Sequence, residues 1–148
     1  MTRRAFLEQW FHRVWTEENA EAITELFVPE SGEGATGIYQ DEAIDTTDYV
    51  AFHRTLLALL QGVEISIDNY IGEGDFAAAE CTLTALDRKT ETQRVSTRGC
   101  VMVKIVDGKI RYASNHFDFL TLFESLGLLP AGTFVSCLGG NRVAWREV

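Results

Sequence analysis

The sequence is poor in proline, in cysteine and in positive charge, and these shortages narrow the classes of protein to consider. Its 148 residues include two prolines and three cysteines, Cys81, Cys100 and Cys137. An odd number of widely spaced cysteines without a CxxC pair argues against a disulfide scaffold or a zinc cluster and favours a reducing cytoplasm. The 13 Lys and Arg are outnumbered by 22 Asp and Glu, giving a net charge of -9. Because nucleic acids and anionic membranes require clustered basic residues, we expect neither as a partner.

Long apolar runs are missing as well. No run approaches the roughly 20 residues that span a bilayer, and the residues after Met1 are interrupted by Glu8 and His12 before an apolar signal core could form. We therefore predict a cytoplasmic protein without a membrane segment. Hydrophobic residues make up 46% and charged residues 24% of the chain, which is typical of one folded domain with a single core.

Helical periodicity predicts three helices in the first part of the chain. Thr2 can cap the first, Asn19 can begin the second, and Asp45 can cap the third. Gly62 is expected to end the third helix as a left-handed cap. A short strand is expected at residues 37–40. The buried face of the third helix is predicted to hold Tyr49, Phe52, Leu56, Leu59 and Leu60.

Alternating apolar residues then predict long strands at residues 63–71, 76–86 and 95–106. The turn Asp107–Gly108, typical of a hairpin, leads into a last strand at residues 109–117. In that strand the alternation of residues between the two faces does not show which face is buried in the core. We predict an α+β fold in which a curved antiparallel sheet buries one face against three helices. The apolar face of the middle strands is predicted to hold Ala77, Ala79, Cys81, Leu83, Ala85, Val95, Thr97, Gly99, Val101, Val103 and Ile105.

Three segments resemble the SnoaL-like polyketide cyclase group of the nuclear transport factor 2-like (cystatin-like) superfamily. They are residues 52–75, residues 103–110, and the run Asn115–Asp118 continued by Leu122–Pro130. The resemblance spans Phe6 to Pro130 and implies a cone-shaped half-barrel whose mouth holds a small, mostly apolar molecule, often in a homodimer. Residues 1–130 are then the cone domain. Residues 131–148, including strand-like segments at 134–138 and 143–145, are a tail or small hairpin packed on it.

The resemblance also implies acid/base catalysis by an acidic residue near the end of the last strand, without a metal or an organic cofactor. Asp118 is the only acid in that segment, although an aspartate directly before a helix is also a favoured N-cap. Asn115 can hold a substrate carbonyl, and His116 can shuttle a proton. These two residues are neighbours in the strand and point to opposite faces of it, so a regular strand places only one of them in the pocket.

A related branch, the limonene-epoxide-hydrolase-like enzymes, uses an Asp-Arg-Asp set inside the cone. When the strands of these enzymes are aligned with this sequence, the positions of the Asp-Arg-Asp set fall near Ala79, Cys81 and Asn115, none of which is an acid or an arginine. No base remains at these positions to take a proton from water.

The predicted binding residues fall into two groups. Tyr39, His53 and Tyr112 can supply polar contacts, although each is also a common kind of half-buried side chain. The three histidines lie too far apart in sequence for a metal site. Cys100 and Met102 on the outer strand face favour a homodimer through the sheet. The remaining predicted binding residues form the wall of the cone: Ala79, Cys81, Leu83, Thr97, Gly99 and Val101.

Two functions are consistent with this pattern. The first is a cofactor-independent cyclase or isomerase that acts on an apolar or polyketide-like substrate, with Asp118 as base and Asn115 as orienting group. The second is a non-catalytic ligand-binding or protein-interaction domain whose cone is filled by its own aromatic side chains, among them Trp10 and Trp15. Function depends on the site rather than on the architecture. A ligand-sized cavity with a titratable group inside it is the feature that distinguishes the two.

Overall fold

The computed structural model describes residues 1–144 and has an α+β fold built on one five-stranded sheet. The spatial order of the strands is β1-β5-β4-β3-β2. Strands β2 to β5 pair antiparallel with their neighbours, and the short β1 pairs in parallel with β5. The predicted fold class is confirmed. The strands are β1 (Ala35–Thr36), β2 (Leu60–Glu73), β3 (Phe76–Asp87), β4 (Arg94–Val106) and β5 (Lys109–Phe117).

Three helical segments pack on the inner face of the sheet, and two more follow it. Thr2, Asn19 and Asp45 cap the three helices that they were predicted to cap, each accepting a backbone N–H at 2.9 to 3.1 Å. No helix within residues 1–144 is long and apolar enough to cross a membrane. The helices are α1 (Arg3–Trp10), which continues as a π-helix (Phe11–Thr16), α2 (Ala20–Leu26), α3 (Thr46–Leu57), α4 (Phe119–Ser125) and α5 (Thr133–Leu138).

The core lies between these helices and the inner face of β3 and β4. Alternate residues of both strands are buried there, as the alternation predicts, apart from the half-buried Gly99. Their neighbours, such as Arg98 and Met102, are exposed on the outer face. This alternation gives the sheet one apolar side, and the apolar stripes of the helices cover it.

A β-bulge in β5 explains why the period of that strand was ambiguous. Lys104 pairs with Tyr112, whereas Ile105 pairs with Ile110, so Arg111 has no residue opposite it in β4. One extra residue in a strand reverses which of its alternate residues face the core. Ile110 before the bulge and Ala113 after it are therefore both buried.

Two predicted boundaries near glycines are wrong. Helix α3 ends at Leu57, and Gly62, with φ of +60°, lies inside β2 where its register with β3 shifts. The positive φ thus serves a bulge rather than a helix cap. The short strand lies at Ala35–Thr36 instead of residues 37–40, because Gly37 takes φ of +81° and turns the chain away.

The segment after Pro130 contains a helix rather than the predicted hairpin. Helix α5 replaces the strand expected at residues 134–138, and Thr133 is its one buried residue. The backbone N–H of Phe134 donates to Glu124 Oε1 at 2.9 Å, which ties α5 to α4. The second predicted strand of that hairpin ends at Trp145, which lies outside the described residues. The division into residues 1–130 and 131–148 remains a prediction.

Candidate functional site

Two small cavities lie between the helices and the inner face of the sheet. Their volumes are about 40 Å³ and about 10 Å³. A single water needs roughly 10–15 Å³ on this scale, whereas typical small-molecule sites occupy roughly 300–1,000 Å³. The cone interior is therefore nearly filled by its own side chains. The residues that line both cavities are Trp10, Phe11, Tyr49 and Asn115.

Aromatic rings from the helices occupy most of the cone. The ring centroids of Trp10 and Tyr49 are 5.8 Å apart, and those of Trp15 and Phe52 are 6.1 Å apart at an interplanar angle of 74°. Tilted and edge-on contacts of this kind are favourable between aromatic rings. Phe52 also meets Phe119 at 6.2 Å. Since Phe52 and Phe119 are half-buried, this contact forms the rim of the larger cavity.

His53 holds the π-helix that carries Phe11 and Trp15. Its Nε2 lies 2.6 Å from the backbone oxygen of Val14, and the imidazole is buried beside the Trp15 ring at a centroid distance of 4.9 Å. His53 lines neither cavity. Its polar atom is engaged with the backbone, so the structure gives it a role in holding the cavity lining in place rather than the predicted contact with a ligand.

Asn115 is the polar side chain at the centre of the site. The bulge in β5 turns it inward, where it is half-buried and borders both cavities. Its Nδ2 lies 3.4 Å from the Thr36 carbonyl oxygen, which is long for a hydrogen bond. Within residues 1–144 no hydrogen bond reaches its Oδ1. The Asn115 amide can therefore donate from Nδ2 to a ligand carbonyl and accept a ligand hydroxyl at Oδ1.

Asp118 is an exposed helix cap. Its Oδ1 accepts the backbone N–H of Thr121 at 3.0 Å, and its Oδ2 accepts the Thr121 hydroxyl at 2.6 Å. These two bonds, the hydroxyl first, hold the pKa of Asp118 below its usual value. A catalytic carboxylate in an apolar pocket would have a raised pKa. Because the carboxylate is outside both cavities and already capped, the proposed role as catalytic base is not supported.

His116 and Tyr112 lie on the outer face of the sheet. The same bulge that turns Asn115 inward turns both of them outward, opposite Cys100 and Lys104 of β4. His116 is exposed and meets the Ser114 hydroxyl at 3.1 Å. Neither residue borders a cavity, so the geometry does not support the predicted catalytic role of His116 or the predicted binding role of Tyr112, and both roles remain predictions. Tyr39 is at the rim, 45% exposed, with its ring 6.1 Å from that of Phe52.

The six residues predicted to form the cone wall all lie on the inner face, but two of them border a cavity, namely Leu83 and Val101. Burial raises the pKa of the Cys81 thiol to about 12, which makes it an inert apolar side chain at neutral pH. The Thr97 hydroxyl donates to the Asp118 backbone oxygen at 2.7 Å. A Cβ at Gly99 would lie 2.5 Å from the Phe117 ring. Thr97 and Gly99 therefore support the end of β5 rather than contact a ligand.

Tyr49 is a residue of the site that sequence reasoning treated only as core. It belongs to the predicted buried stripe of α3, which gave no sign that Tyr49 lines both cavities. Burial raises the pKa of Tyr49 well above its usual value, and hydrogen bonding with the Trp15 side chain partly offsets this. Tyr49 therefore stays protonated at neutral pH and can donate a hydrogen bond.

Among the residues of 1–144 that line the two cavities there is no Asp, Glu, His, Lys, Arg or Cys. Over residues 1–144, no three His, Cys, Asp or Glu side chains are grouped so that they could hold a metal ion. The sequence-based expectation that no metal or cofactor is used remains a prediction. The polar side chains of the described residues that line both cavities are Asn115, Tyr49 and Trp10, so the chemistry that the lining offers is hydrogen bonding.

Comparison with known families agrees with this fold. The sequence model of the SnoaL-like domain family matches residues 7–113. The chain therefore belongs to the SnoaL-like domain family, and the resemblance stated from the sequence is confirmed. The match ends before Asn115 and Asp118. No protein of curated function matches the sequence.

Solved structures with the same fold are distant in sequence. AclR, a candidate hydroxylase from Streptomyces galilaeus, is 21% identical over 93% of this chain and 88% of its own, with a TM-score of 0.70. IdmH, a candidate polyketide cyclase from Streptomyces antibioticus, is 15% identical over 86% and 99%, with a TM-score of 0.69. An epoxide hydrolase of the limonene-epoxide-hydrolase-like kind from M. tuberculosis is 14% identical over 90% and 92%, with a TM-score of 0.60. At these identities the similarity establishes the fold alone.

Proposed function

We propose that the cone binds a small, mostly apolar molecule that carries one carbonyl or hydroxyl group. The observation that carries this proposal is the inward Asn115 amide, which borders both cavities. Its Nδ2 makes only a long 3.4 Å contact and can donate to a ligand carbonyl. Within residues 1–144, no hydrogen bond reaches its Oδ1, which can accept from a ligand hydroxyl. Apolar walls with a few convergent polar groups are the usual composition of a small-molecule site. Membership of the SnoaL-like family, whose cones hold such molecules, supports the same proposal.

The ligand needs more room than about 40 Å³, so we propose that the rim opens. Phe52 and Phe119 meet across the mouth at 6.2 Å, and Phe119 packs on Phe123, which is itself half-buried. Aromatic side chains at such positions can turn toward solvent without breaking a hydrogen bond. Rotation of Phe119 would join the larger cavity to the exterior beside Tyr39.

Two probes of similar shape test this proposal, namely acetophenone, which has a carbonyl, and ethylbenzene, which does not. We expect acetophenone to shift the NMR signals of the Asn115 side-chain amide and of the Trp10 and Trp15 indoles. One hydrogen bond contributes about 1 kcal/mol, so acetophenone should bind about fivefold more tightly than ethylbenzene. Asn115→Leu should abolish this preference while retaining binding of ethylbenzene. Phe119→Ala should strengthen binding of both probes, because it widens the mouth.

Met102→Ala, on the outer face of the sheet, is the control and should leave both affinities unchanged. If neither probe shifts the indole signals, even in Phe119→Ala, the cone is a filled core and the proposal is wrong. The second function considered from the sequence, a non-catalytic protein-interaction domain, would then be the better description.

A cyclase or isomerase acting on a polyketide-like substrate is the second candidate function, which the family assignment favours. Since no carboxylate of residues 1–144 borders the cavities, such a reaction would depend on hydrogen bonds donated by Tyr49 and Asn115 to a substrate carbonyl. Cyclisation of a linear poly-β-ketone thioester, followed by the absorbance of the aromatic product, is the assay. Tyr49→Phe should slow it at least tenfold, and Asp118→Asn should not. If Asp118→Asn lost activity and Tyr49→Phe did not, Asp118 would be the better candidate for the base.

Two other sequence-based predictions remain proposals. The cytoplasm is the proposed location, and the unpaired thiols of Cys81, Cys100 and Cys137 support it. Fractionation of the native host would test this, and recovery outside the cytoplasm would contradict it.

A homodimer through the outer face of the sheet is the other proposal, and its cysteine, Cys100, provides a cross-linking position there.

A further inference from the structure

The larger cavity ends at an isoleucine that also borders the surface of the molecule. Ile65 of β2 lines the cavity of about 40 Å³, and it also lines an open groove of about 560 Å³ between β2 and the first helix with its π-helical continuation. Among residues 1–144, no other side chain lines both spaces. The half-buried Ile65 is therefore the side chain at which the interior of the cone and this groove meet.

The helical side of this boundary is divided between the two spaces. Phe11 and Trp15 of the π-helix line the cavity, whereas His12 and Thr16, each one residue further along the chain, line the groove. Opposite them, β2 is an edge strand of the five-stranded sheet, with β3 as its neighbour. Shortening the side chain of Ile65 is therefore expected to join the cavity to the groove.

The strand register places Ile65 opposite the rim of the cavity. Ile65 pairs with Leu83, and Leu83 pairs with Thr97. The Thr97 hydroxyl donates to the Asp118 backbone oxygen at 2.7 Å, and Phe119 follows Asp118 in the chain. Ile65 and Phe119 thus lie at one level on opposite sides of the sheet, which are three strand spacings or about 14 Å apart. A molecule that enters past Phe119 meets Ile65 as the far wall.

We propose that Ile65 sets the length of the molecule that the cone accepts, and that this molecule is a compact carbonyl compound of one ring with a short substituent rather than a long alkyl chain. The inference rests on the proposed function, since it requires a ligand oxygen bound by Asn115. Asn115 lines the cavity from β5, and β4 and β3 separate β5 from β2. The space between Asn115 and Ile65 is therefore bounded at both ends. A chain longer than this space leaves part of itself in solvent.

Acetophenone and hexanophenone test the inference, because both have a phenyl ring and a carbonyl and they differ in the length of the alkyl chain. Burial of one methylene group strengthens binding about fourfold. In the native chain, hexanophenone should nevertheless bind no more tightly than acetophenone, because Ile65 blocks its chain. In Ile65→Ala it should bind at least tenfold more tightly than acetophenone, because the chain passes into the groove beside Ile67. Isothermal titration calorimetry measures both affinities.

Leu83→Ala is the matched control. Leu83 is the cross-strand partner of Ile65 and lines the same cavity, but it is not among the described residues that line the groove. Leucine and isoleucine have the same number of atoms, so both changes remove the same amount of side chain. Leu83→Ala should therefore change the two affinities by the same factor. Ile65→Val should favour hexanophenone by a smaller factor than Ile65→Ala, and it provides the test if Ile65→Ala does not fold.

His12 reports directly where the alkyl chain lies, because it lines the groove. In Ile65→Ala the terminal methyl group of hexanophenone should show a nuclear Overhauser effect to the ring protons of His12. The native chain and Leu83→Ala should show none. A substitution that merely loosened the fold would not produce this contact.

Two results would overturn the inference and leave the proposed function intact, because acetophenone would still bind. The first is hexanophenone that already binds the native chain at least tenfold more tightly than acetophenone. The second is a preference for hexanophenone that Ile65→Ala shifts no more than Leu83→Ala does. If neither probe binds the native chain or Phe119→Ala, the proposed function itself is wrong, and the inference about Ile65 is wrong with it.

Discussion

At the scale of single residues, Asp118 shows how a chemically plausible candidate can have a simpler role. Both carboxylate oxygens are engaged by Thr121, one by its N–H and one by its hydroxyl. An aspartate at the end of a strand and directly before a helix fits both a catalytic and a capping interpretation from sequence. The hydrogen bonds and the lowered pKa distinguish the two.

Replacement of Asp118 by alanine should lower the free energy of unfolding by about 1 kcal/mol at neutral pH, which is typical for loss of an N-cap. Asp118→Asn should lose only part of this, because its oxygen still accepts the Thr121 N–H. Urea unfolding at pH 7 measures both values. An unchanged stability in Asp118→Ala would mean that the cap contributes nothing.

The contribution of the Asp118 cap to the free energy of unfolding should depend on pH. Because the pKa of Asp118 is lowered in the folded chain, the ionised carboxylate stabilises the fold fully above its unfolded pKa, about 3.9. That stabilisation is lost as the pH falls through the lower folded value. The stability difference between the native chain and Asp118→Asn should therefore shrink below about pH 4. A difference that grows in acid would contradict the assignment.

At the scale of elements, a buried hydrogen bond holds the helical side of the cone. His53 of α3 meets the Val14 oxygen of the π-helix at 2.6 Å. His53→Leu should leave this oxygen without a partner and cost about 1–3 kcal/mol. His53→Gln retains an N–H donor and should recover part of the loss. Unfolding followed by fluorescence of the adjacent Trp15 measures both effects, and equal losses in the two variants would show that volume rather than the hydrogen bond matters.

The junction of β4 and β5 is sensitive to a single methyl group. A Cβ at Gly99 would lie 2.5 Å from the Phe117 ring, so Gly99→Ala should destabilise the fold by about 1–3 kcal/mol. Gly139→Ala is the control, since its nearest contact is an ordinary 3.4 Å. Combining Gly99→Ala with Phe117→Leu should cost less than the sum of the single changes, as expected for residues in contact. Strict additivity would show that the two residues do not share this space.

At the scale of the whole molecule, features that follow from the chemistry of residues close together in the sequence were predictable, and features that depend on packing between separate elements were not. The caps at Thr2, Asn19 and Asp45 and the buried faces of β3 and β4 follow from local residue chemistry. The bulge at Arg111 was not predictable because it is a relation between two strands. Since that bulge decides whether Asn115 or His116 faces the core, the site could not be assigned from the strand period alone.

The size of the cavity was also beyond sequence reasoning, because it depends on side chains from different elements. Each of Trp10, Phe11 and Tyr49 could be predicted to be buried. Their fit against β4 and β5, which leaves about 40 Å³ and about 10 Å³, is a property of the assembled cone. Family membership indicates the architecture, and the number and position of these rings decide what this member can admit.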